Sequence, residues 1–171
     1  NIVWLKRDLR LTDHAPLAEA MRSSLPVVLL YIVEPELLND PHYDVRHWRF
    51  VQQSIDDING RLIDVPVTVL QGTCVECFDA LLEVWHINTI WSHQEIGLAK
   101  TFQRDLQVKQ WCNEHQVTWQ EFETDAVRRG IKNRHDWDKN WHKMMRAAIV
   151  EIDVSCIPWL KPQHEEITKL N

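Results

Sequence analysis

The stretch Ile2-Val3-Trp4-Leu5-Lys6-Arg7-Asp8-Leu9-Arg10-Leu11-Thr12-Asp13 decides the fold class of this chain. A short apolar run, typical of a β-strand, ends in a patch of basic and acidic side chains. Thr12 and Asp13 stand where a helix cap is expected, directly before Ala15-Pro16-Leu17. A strand that leads into a helix in this way indicates an α/β domain, in which ligands bind at the carboxyl ends of the strands.

The same alternation continues as far as Phe122. Residues 26–33 form a nearly continuous apolar run, typical of a strand buried on both faces. Five strands separated by helices predict an open, doubly wound parallel sheet with helices on both faces. The predicted strands are Ile2–Leu5, 26–33, 67–70, 89–92 and 117–122, and the predicted helices are 15–23, 43–62, 75–85, 98–115 and 137–150.

Within these helices, spacing predicts caps and buried faces. Thr73 is expected to cap the helix at 75–85. In the helix at 98–115, the residues expected near one apolar face are Leu98, Phe102, Leu106 and Trp111. Two parts are expected overall: a Rossmann-like α/β domain at 1–125, and a basic loop, a late helix and the start of a linker at 126–171.

Composition is that of an ordinary globular protein, with 171 residues, 44% hydrophobic and 26% charged. No apolar run is long enough to span a membrane, and no leader peptide is visible. Four cysteines without a leader favour reduced thiols in the cytoplasm. The chain starts inside a strand and without Met, so it is expected to be a trimmed piece.

Charge is unevenly distributed. The net charge of −6 argues against a general nucleic-acid binder. The segment from Arg128 to Arg146, however, contains seven basic residues and two acidic ones, so its net charge is +5. This stripe is suited to phosphate or an acidic partner; the alternative is a solvated helix face ahead of a linker. Its residues that are candidates for a phosphate or interdomain contact are Arg128, Arg129, Lys132 and Arg134.

Several common site motifs are missing. The four glycines form neither G-x-G-x-x-G nor a P-loop, which disfavours nicotinamide dehydrogenases and P-loop enzymes. No G-x-S-x-G elbow and no convincing nucleophile–base pair appear. Cys74-x-x-Cys77 and Cys112-x-x-His115 invite a zinc interpretation, but a parallel sheet is expected to place the two pairs at opposite edges. No metal site is therefore predicted.

Polar side chains gather after three of the predicted strands. If strands one and four are neighbours, their ends form a cleft suited to a planar heterocycle, because Glu and Gln side chains pair with adjacent N–H and C=O groups. Roles other than ligand binding remain open for three of these residues. Asp8 could form an ion pair with a nearby arginine, Glu34 could be a solvated loop residue, and His93 could be a structural histidine. The candidate ligand-binding residues are Arg7, Asp8, Arg10, Glu34, His93, Gln94 and Glu95.

Tryptophan is abundant, with nine residues. Six of them fall on strands or apolar helix faces and are expected in the core. Trp137 and Trp141, spaced i and i+4, share one face of the late helix. Two interpretations are open for that face: it contacts a domain or protein outside this chain, or it packs on the surface of this domain.

The sequence of several of these segments resembles that of the DNA photolyase/cryptochrome family. Lys6-Arg7-Asp8-Leu9-Arg10-Leu11-x-Asp13 is similar to its opening signature, and Ile90–Glu95 followed by Arg104-Asp105 is similar to its fourth-strand region. Residues 122 and 127–134 resemble the exit from the domain, whereas the Thr-Pro-Phe that often precedes the late tryptophan is missing. The resemblance runs from Ile2 to about Ile149 and is nearest to less typical bacterial or DASH-like branches.

The resemblance implies the strand order 3-2-1-4-5 and the role of an amino-terminal light-harvesting antenna domain. It also implies a separate FAD-binding helical domain in the same polypeptide, which this chain does not reach. The full-length parent would be a light-driven lyase that repairs pyrimidine dimers in damaged DNA, or a blue-light sensor. The fragment alone is expected to be catalytically silent, and no membrane partner is expected.

The antennas known in the family are methenyltetrahydrofolate, an 8-hydroxy-deazaflavin, a lumazine, or none. The resemblance places a folate-type site at Glu95, and a deeper site near Arg10 and Glu34. A rival hypothesis is a free-standing nucleotide-binding α/β module of the universal-stress or electron-transfer-flavoprotein type, which the scarcity of glycine disfavours. A third is an interaction domain that docks a partner through Trp137, Trp141 and the basic stripe.

Overall fold

A computed structural model describes residues 1–62, 64–124, 126–127, 133 and 135–161 of the chain. Five parallel strands form one sheet, and helices cover both of its faces. The strands are β1 (Ile2–Leu5), β2 (Val28–Val33), β3 (Thr68–Gln71), β4 (Thr89–His93) and β5 (Thr118–Phe122). The helices are α1 (Ala15–Met21), α2 (Pro35–Leu38), α3 (Val45–Arg61), α4 (Cys74–Val84), α5 (Ala99–Glu114) and α6 (Trp137–Met145), and a 3-10 turn covers Val154–Cys156.

The strand order is β3-β2-β1-β4-β5, as expected. The central strand β1 pairs in parallel with β2 on one side and with β4 on the other. All four of its residues are buried. From β1 the chain first adds β2 and β3 on one side of the sheet and then adds β4 and β5 on the other. The carboxyl ends of β1 and β4 therefore lie side by side where the strand order reverses, which is the switch point of the sheet.

Alternation along the strands builds two cores, one on each face of the sheet. Ile2 and Trp4 of β1 face the first core with Phe78 of α4 and Trp111 of α5. Val3 and Leu5 point the opposite way, toward a second core built from residues of α1 and α3. The doubly wound architecture expected from the apolar runs is therefore confirmed.

The caps agree only partly with the sequence-based expectations. Thr73 caps α4 as predicted, through a capping box with Glu76. For α1 the prediction was wrong: the N-cap is His14, whose Nδ1 accepts a hydrogen bond from the Leu17 N–H. Asp13 adopts a φ of +50° just before it. The helix nevertheless begins at Ala15, as predicted, and only the identity of its cap differs.

The apolar face predicted for α5 was wrong for two of its four residues, whereas Trp111 is buried as predicted. Phe102 and Leu106 are about half exposed, at 49% and 47%. The side of α5 that faces the sheet is formed by Thr101, Arg104, Asp105, Val108, Trp111 and Cys112. Charged side chains are tolerated in this interior position because they pair with each other and with strand-end residues.

Two further elements differ from the expectation. Pro35 starts the short helix α2, an arrangement that suits proline because the first helical turn does not need its N–H. The late helix α6 ends at Met145 rather than at 150. Beyond it the Val150 N–H donates to Asp13 Oδ1 at 3.0 Å, which turns the chain back toward the β1–α1 loop.

The C-terminal part of the described chain returns to the sheet. Val27 and Trp159 form a parallel bridge, with the Leu160 N–H donating to the Val27 carbonyl. Ile157 is 4% exposed and belongs to the second core. Part of the segment expected to lead into a linker thus packs on the α/β body.

Among the described residues, no helix has both the length and the apolar character needed to cross a membrane.

Candidate functional site

A cavity of about 580 Å³ opens at the carboxyl ends of β1 and β2. Its other walls come from α3 and from the loop that follows β4. This size falls within the range of small-molecule sites in proteins, and its place beside the switch point is where open α/β sheets bind ligands. Its polar lining residues are Lys6, Arg7, Glu34, His42, Tyr43, Arg46, His47, Glu95 and Arg104, and its aromatic wall adds Trp4, Tyr31, Trp48 and Phe50.

Arg104 organises the inner end of the cavity. Its guanidinium contacts Glu34 Oε1 and Glu95 Oε2, each at 2.7 Å, and Asp105 Oδ1 at 2.8 Å. Burial alone would lower the pKa of Arg104, but these carboxylates, Glu34 first, raise the pKa above its ordinary value. A permanent cation thus fixes two cavity acids that come from different strand ends.

The two cavity acids are not equivalent. Burial raises the pKa of Glu34, and the Arg104 guanidinium acts in the opposite direction. Glu95 is shared between Arg104 and Arg7, whose Nε lies 3.0 Å from Glu95 Oε1. Arg7 also donates to the Tyr43 hydroxyl at 3.2 Å and so reaches across the cavity from β1 to the residues before α3. The site thereby presents fixed carboxylates inside and a partly exposed guanidinium at the mouth.

Lys6 is a second buried cation on the cavity wall. Its Nζ lies 3.4 Å from Asp105 Oδ1 and 3.9 Å from Glu121 Oε1. Burial lowers the pKa of Lys6, and the Asp105 carboxylate opposes that shift. The same Nζ sits over the rings of Trp4 and Trp119. Carboxylates and aromatic faces together replace the water that the ammonium lost.

Aromatic side chains line the cavity on the α3 side. Tyr43 and Trp48 stack with ring centroids 5.1 Å apart and planes 20° from parallel. Both side chains are half-buried and both line the cavity. The pair offers a flat apolar surface against which a ring system can pack.

A second polar cluster lies behind the cavity. His93 Nδ1 contacts Asp8 Oδ2 at 2.5 Å, and His14 Nε2 lies 2.7 Å from the same oxygen without being aligned as a hydrogen bond. Asp8 Oδ1 accepts the Lys6 backbone N–H at 2.7 Å. All three side chains are almost fully buried. The cluster fixes the loop after β1 against β4 and α1.

The ligand atoms of these three side chains lie within 4.8 Å of one another, close enough for a metal ion, but Asp8 Oδ2 already contacts both histidine rings directly. Tetrahedral zinc ligands at bond lengths near 2.0 Å are about 3.3 Å apart, whereas the Asp8–histidine distances are those of hydrogen bonds and ion pairs. Burial alone would raise the pKa of Asp8, but contact with His14 and His93 holds that pKa well below its usual value. The cluster is best described as an ionised carboxylate between two imidazoles.

The three buried cysteines do not form a reactive site. Burial raises the pKa of Cys77 and of Cys112 to about 11, and raises that of Cys74 well above its ordinary value. Thiols with such values remain protonated near neutral pH and are poor nucleophiles. Cys74 lies near Glu34, at the cavity end of α4.

The residues singled out from the sequence separate into three groups. Arg7, Glu34 and Glu95 line the cavity, whereas Asp8 and His93 form the buried cluster behind it. The side chain of Arg10 hydrogen-bonds the Thr12 and Asp13 carbonyls, and Gln94 donates its backbone N–H to Phe122. Neither of these last two is among the residues that line the cavity.

The candidates for an interdomain contact are only partly described. Trp137 and Trp141 are 45% and 38% exposed and stack with centroids 6.5 Å apart. The other four, Arg128, Arg129, Lys132 and Arg134, lie outside the described residues.

Sequence reasoning missed several residues of this site. Lys6 was noted only as part of the charged patch after the first strand, Arg104 only as part of the family resemblance, and His14 was not singled out. Tyr43 was expected at the start of a helix, and Trp48 was expected in the core. Only the adjacent Arg104-Asp105 pair on an otherwise regular helix was a usable signal, since two charges there fall on the side that Val108 and Trp111 bury.

Comparison with known proteins decides the family. The sequence model of the DNA photolyase family matches residues 1–130. The chain belongs to the DNA photolyase family. Cryptochrome DASH from Synechocystis sp. is 29% identical over 102 residues, covering 56% of this chain and 21% of that protein. Deoxyribodipyrimidine photo-lyase from Vibrio cholerae is 27% identical over 134 residues, covering 74% of this chain and 28% of that protein.

A solved structure supports the fold. The archaeal photolyase from Sulfolobus tokodaii, described with two FAD molecules and a novel light-harvesting cofactor, superposes with a TM-score of 0.68 at 19% identity. The match covers 88% of this chain and 35% of that chain. This photolyase-family chain thus spans well under half the length of the relatives it matches, and its fold corresponds to their amino-terminal domain.

Proposed function

We propose that this photolyase-family domain binds a flat heteroaromatic chromophore in the cavity beside β1 and β2, and passes its excitation energy to a flavin elsewhere in the parent protein. The cavity is the observation that carries this proposal. It has the volume of a cofactor site, lies at the ligand-binding edge of the sheet, and combines aromatic walls with fixed carboxylates and guanidinium groups.

The residues present fit such a group. Glu34 and Glu95 accept hydrogen bonds from ring N–H groups, and Arg104 keeps both carboxylates in place. Tyr43 and Trp48 supply the surface on which the ring system stacks. Arg7, more than half exposed at the mouth, interacts with a polar substituent that points outward. When bound, the chromophore would supply absorption of near-ultraviolet or blue light.

Among the candidate antennas, a flavin-type ring is the first to test. The Sulfolobus tokodaii photolyase is described with two FAD molecules and a light-harvesting cofactor, and its fold matches this one. A deazaflavin shares the same tricyclic shape. Methenyltetrahydrofolate and a lumazine are the other candidates, and a domain with no antenna is the remaining outcome.

The parent protein is proposed to carry a FAD-binding helical domain after this one and to act in light-driven repair of pyrimidine dimers or in blue-light sensing. Relatives named as photo-lyase and as cryptochrome support both activities equally. The domain itself contributes light absorption and not bond cleavage. Damaged DNA is accordingly a partner of the full-length protein.

A titration tests the antenna proposal. The 171-residue chain is mixed with FMN, FAD, 8-hydroxy-deazaflavin, a lumazine, methenyltetrahydrofolate or ATP, and binding is followed by fluorescence and by calorimetry. At least one chromophore is expected to bind with a shifted or quenched emission. Binding of ATP without any chromophore would instead favour the free-standing nucleotide-binding module.

Paired tryptophan variants locate the binding site. Trp48→Ala removes half of the stacked pair in the cavity and is expected to weaken binding by about tenfold, since an aromatic contact contributes about 0.5–1.5 kcal/mol beyond the area it buries. Trp141→Ala, a partly exposed tryptophan that does not line the cavity, is the matched control and leaves affinity unchanged. Equal affinities of both variants, or no bound chromophore at all, would refute the proposal.

A further inference from the structure

The two tyrosines of the chain, Tyr31 and Tyr43, both line the cavity, but their hydroxyl groups differ. The Tyr43 hydroxyl accepts a hydrogen bond from Arg7 at 3.2 Å. The Tyr31 hydroxyl forms no hydrogen bond with any of the residues that the structure describes. Because a buried tyrosine hydroxyl usually has a partner, the free hydroxyl of Tyr31 is unusual.

The fold holds Tyr31 in a fixed position. It lies in the middle of β2, where it pairs in register with Leu5, the last residue of β1. Tyr31 is 7% exposed and belongs to the second core, so packing restrains its side chain. A group placed by a buried strand in this way is oriented before a ligand arrives, which favours selective binding.

The Tyr31 hydroxyl lies among the polar groups of the cavity. Burial raises the pKa of Tyr31 above its ordinary value, and Tyr43, Glu34 and Glu95 raise it further, whereas Arg104 acts in the opposite direction. These four neighbours all line the cavity. Tyr31 therefore keeps its proton near neutral pH and is available as a hydrogen-bond donor.

This donor complements the cavity acids. Glu34 and Glu95 accept hydrogen bonds when ionised, and Arg104 contacts one oxygen of each at 2.7 Å. Tyr31 adds a neutral donor to these acceptors. A ring amide, in which an N–H stands beside a carbonyl, presents a donor and an acceptor side by side. Such an edge matches a carboxylate together with a tyrosine hydroxyl.

We infer that the Tyr31 hydroxyl donates a hydrogen bond to a ring carbonyl of the bound chromophore, and that it thereby selects ring systems with an amide edge. The inference rests on the proposed antenna function and deepens it, because it names the chemical group that is recognised. A ring without an acceptor at that point would leave the buried hydroxyl unpaired. Sites that hydrogen-bond their ligand in this way reject such analogues more strongly than apolar pockets do.

The test measures the affinity of the chain for FMN and for its two thio analogues, in each of which sulfur, a weaker acceptor, replaces one carbonyl oxygen of the pyrimidine ring. The unchanged protein is expected to bind FMN about three- to tenfold more tightly than one of the two analogues, which corresponds to one net hydrogen bond. Tyr31→Phe should lose that preference and bind FMN more weakly by a similar factor.

Tyr43→Phe is the matched variant. It removes the other tyrosine hydroxyl of the cavity and keeps the ring that stacks on Trp48. Whatever its effect on affinity, Tyr43→Phe should retain the preference for FMN over the thio analogue.

Urea unfolding of the free protein is the second readout. Tyr31→Phe should be at least as stable as the unchanged protein, because it removes a hydroxyl without a protein partner and keeps the ring. A less stable Tyr31→Phe protein with unchanged affinity for FMN would show that the hydroxyl is structural, and would overturn the inference.

The remaining outcomes separate this inference from the antenna proposal. Equal binding of FMN and both thio analogues by the unchanged protein, or a preference that survives in Tyr31→Phe, overturns the inference alone. If methenyltetrahydrofolate binds and FMN does not, its ring carbonyl becomes the acceptor: Tyr31→Phe should then weaken folate binding, and equal affinity overturns the inference. Binding of no chromophore removes both proposals.

Discussion

At the scale of single residues, His14 combines a helix cap, which requires a neutral ring, with a contact to a buried carboxylate. Its Nδ1 accepts the Leu17 N–H to cap α1, and its Nε2 faces the Asp8 carboxylate at 2.7 Å. Burial lowers the pKa of His14, with Asp8 acting against that shift. A proton on Nδ1 would also remove the cap. The folded protein therefore resists protonation of His14 at a pH where the unfolded chain accepts it.

Stability is consequently expected to fall as the pH drops below about 6.5, the ordinary histidine pKa. The unfolded state then binds more protons at His14 than the folded state does, so up to about 1 kcal/mol of stability is lost through His14 at pH 5.5. In His14→Asn, which keeps a side chain suited to an N-cap, this loss should disappear. Urea unfolding of both proteins at pH 7.5 and 5.5 measures it, and equal pH dependence would contradict the assignment.

At the scale of elements, α4 begins at a complete capping box. The Thr73 hydroxyl accepts the Glu76 N–H, while the Glu76 carboxylate accepts the Thr73 N–H at 3.0 Å. The helix carries Phe78 and Leu81, both fully buried, into the first core. Thr73→Ala is expected to lower the free energy of unfolding by about 1 kcal/mol, because backbone donors at the helix start lose their partner.

Chemical denaturation measures this effect. Thr12→Ala, which shortens an exposed threonine in the β1–α1 loop, is the control and should change stability by less than about 0.5 kcal/mol. A Thr73→Ala protein as stable as the control would show that tertiary packing alone holds the start of α4.

At the scale of the whole molecule, the C-terminal segment is part of the α/β body. Ile157 is 4% exposed in the second core, whereas Ile149, a few residues earlier, is 72% exposed. Ile157→Ala is expected to destabilise the protein by about 2–4 kcal/mol, since a buried side chain leaves a cavity. Ile149→Ala should remain within about 0.5 kcal/mol of the parent.

Thermal and urea unfolding of the two variants give the comparison directly. Equal stabilities would indicate that the segment following α6 only rests on the sheet. A selective loss for Ile157→Ala would show that any division of the chain near residue 125 must leave the packed residues around 157 with the amino-terminal body.

Local patterns in the sequence were sufficient for the strands and their alternation with helices, whereas the strand order followed from the family resemblance. Continuous apolar runs mark strands buried on both faces, as in β1 and β2. The cap at Thr73 also follows from local sequence. The buried face of α5 could not be predicted from local sequence. Arg104 and Asp105 point inward because Glu34, Glu95 and Lys6 pair with them. Those partners come from distant parts of the chain.

By itself, then, the sequence determined the doubly wound sheet, the placement of polar residues at its carboxyl edge and the family resemblance. Tertiary structure alone decided that Arg7, Glu34 and Glu95 line one cavity while Asp8 and His93 lie behind it. The physical reason is that strand and helix periodicity reports which residues are apolar at a fixed spacing. The pairing of buried charges depends instead on which chain segments meet in three dimensions.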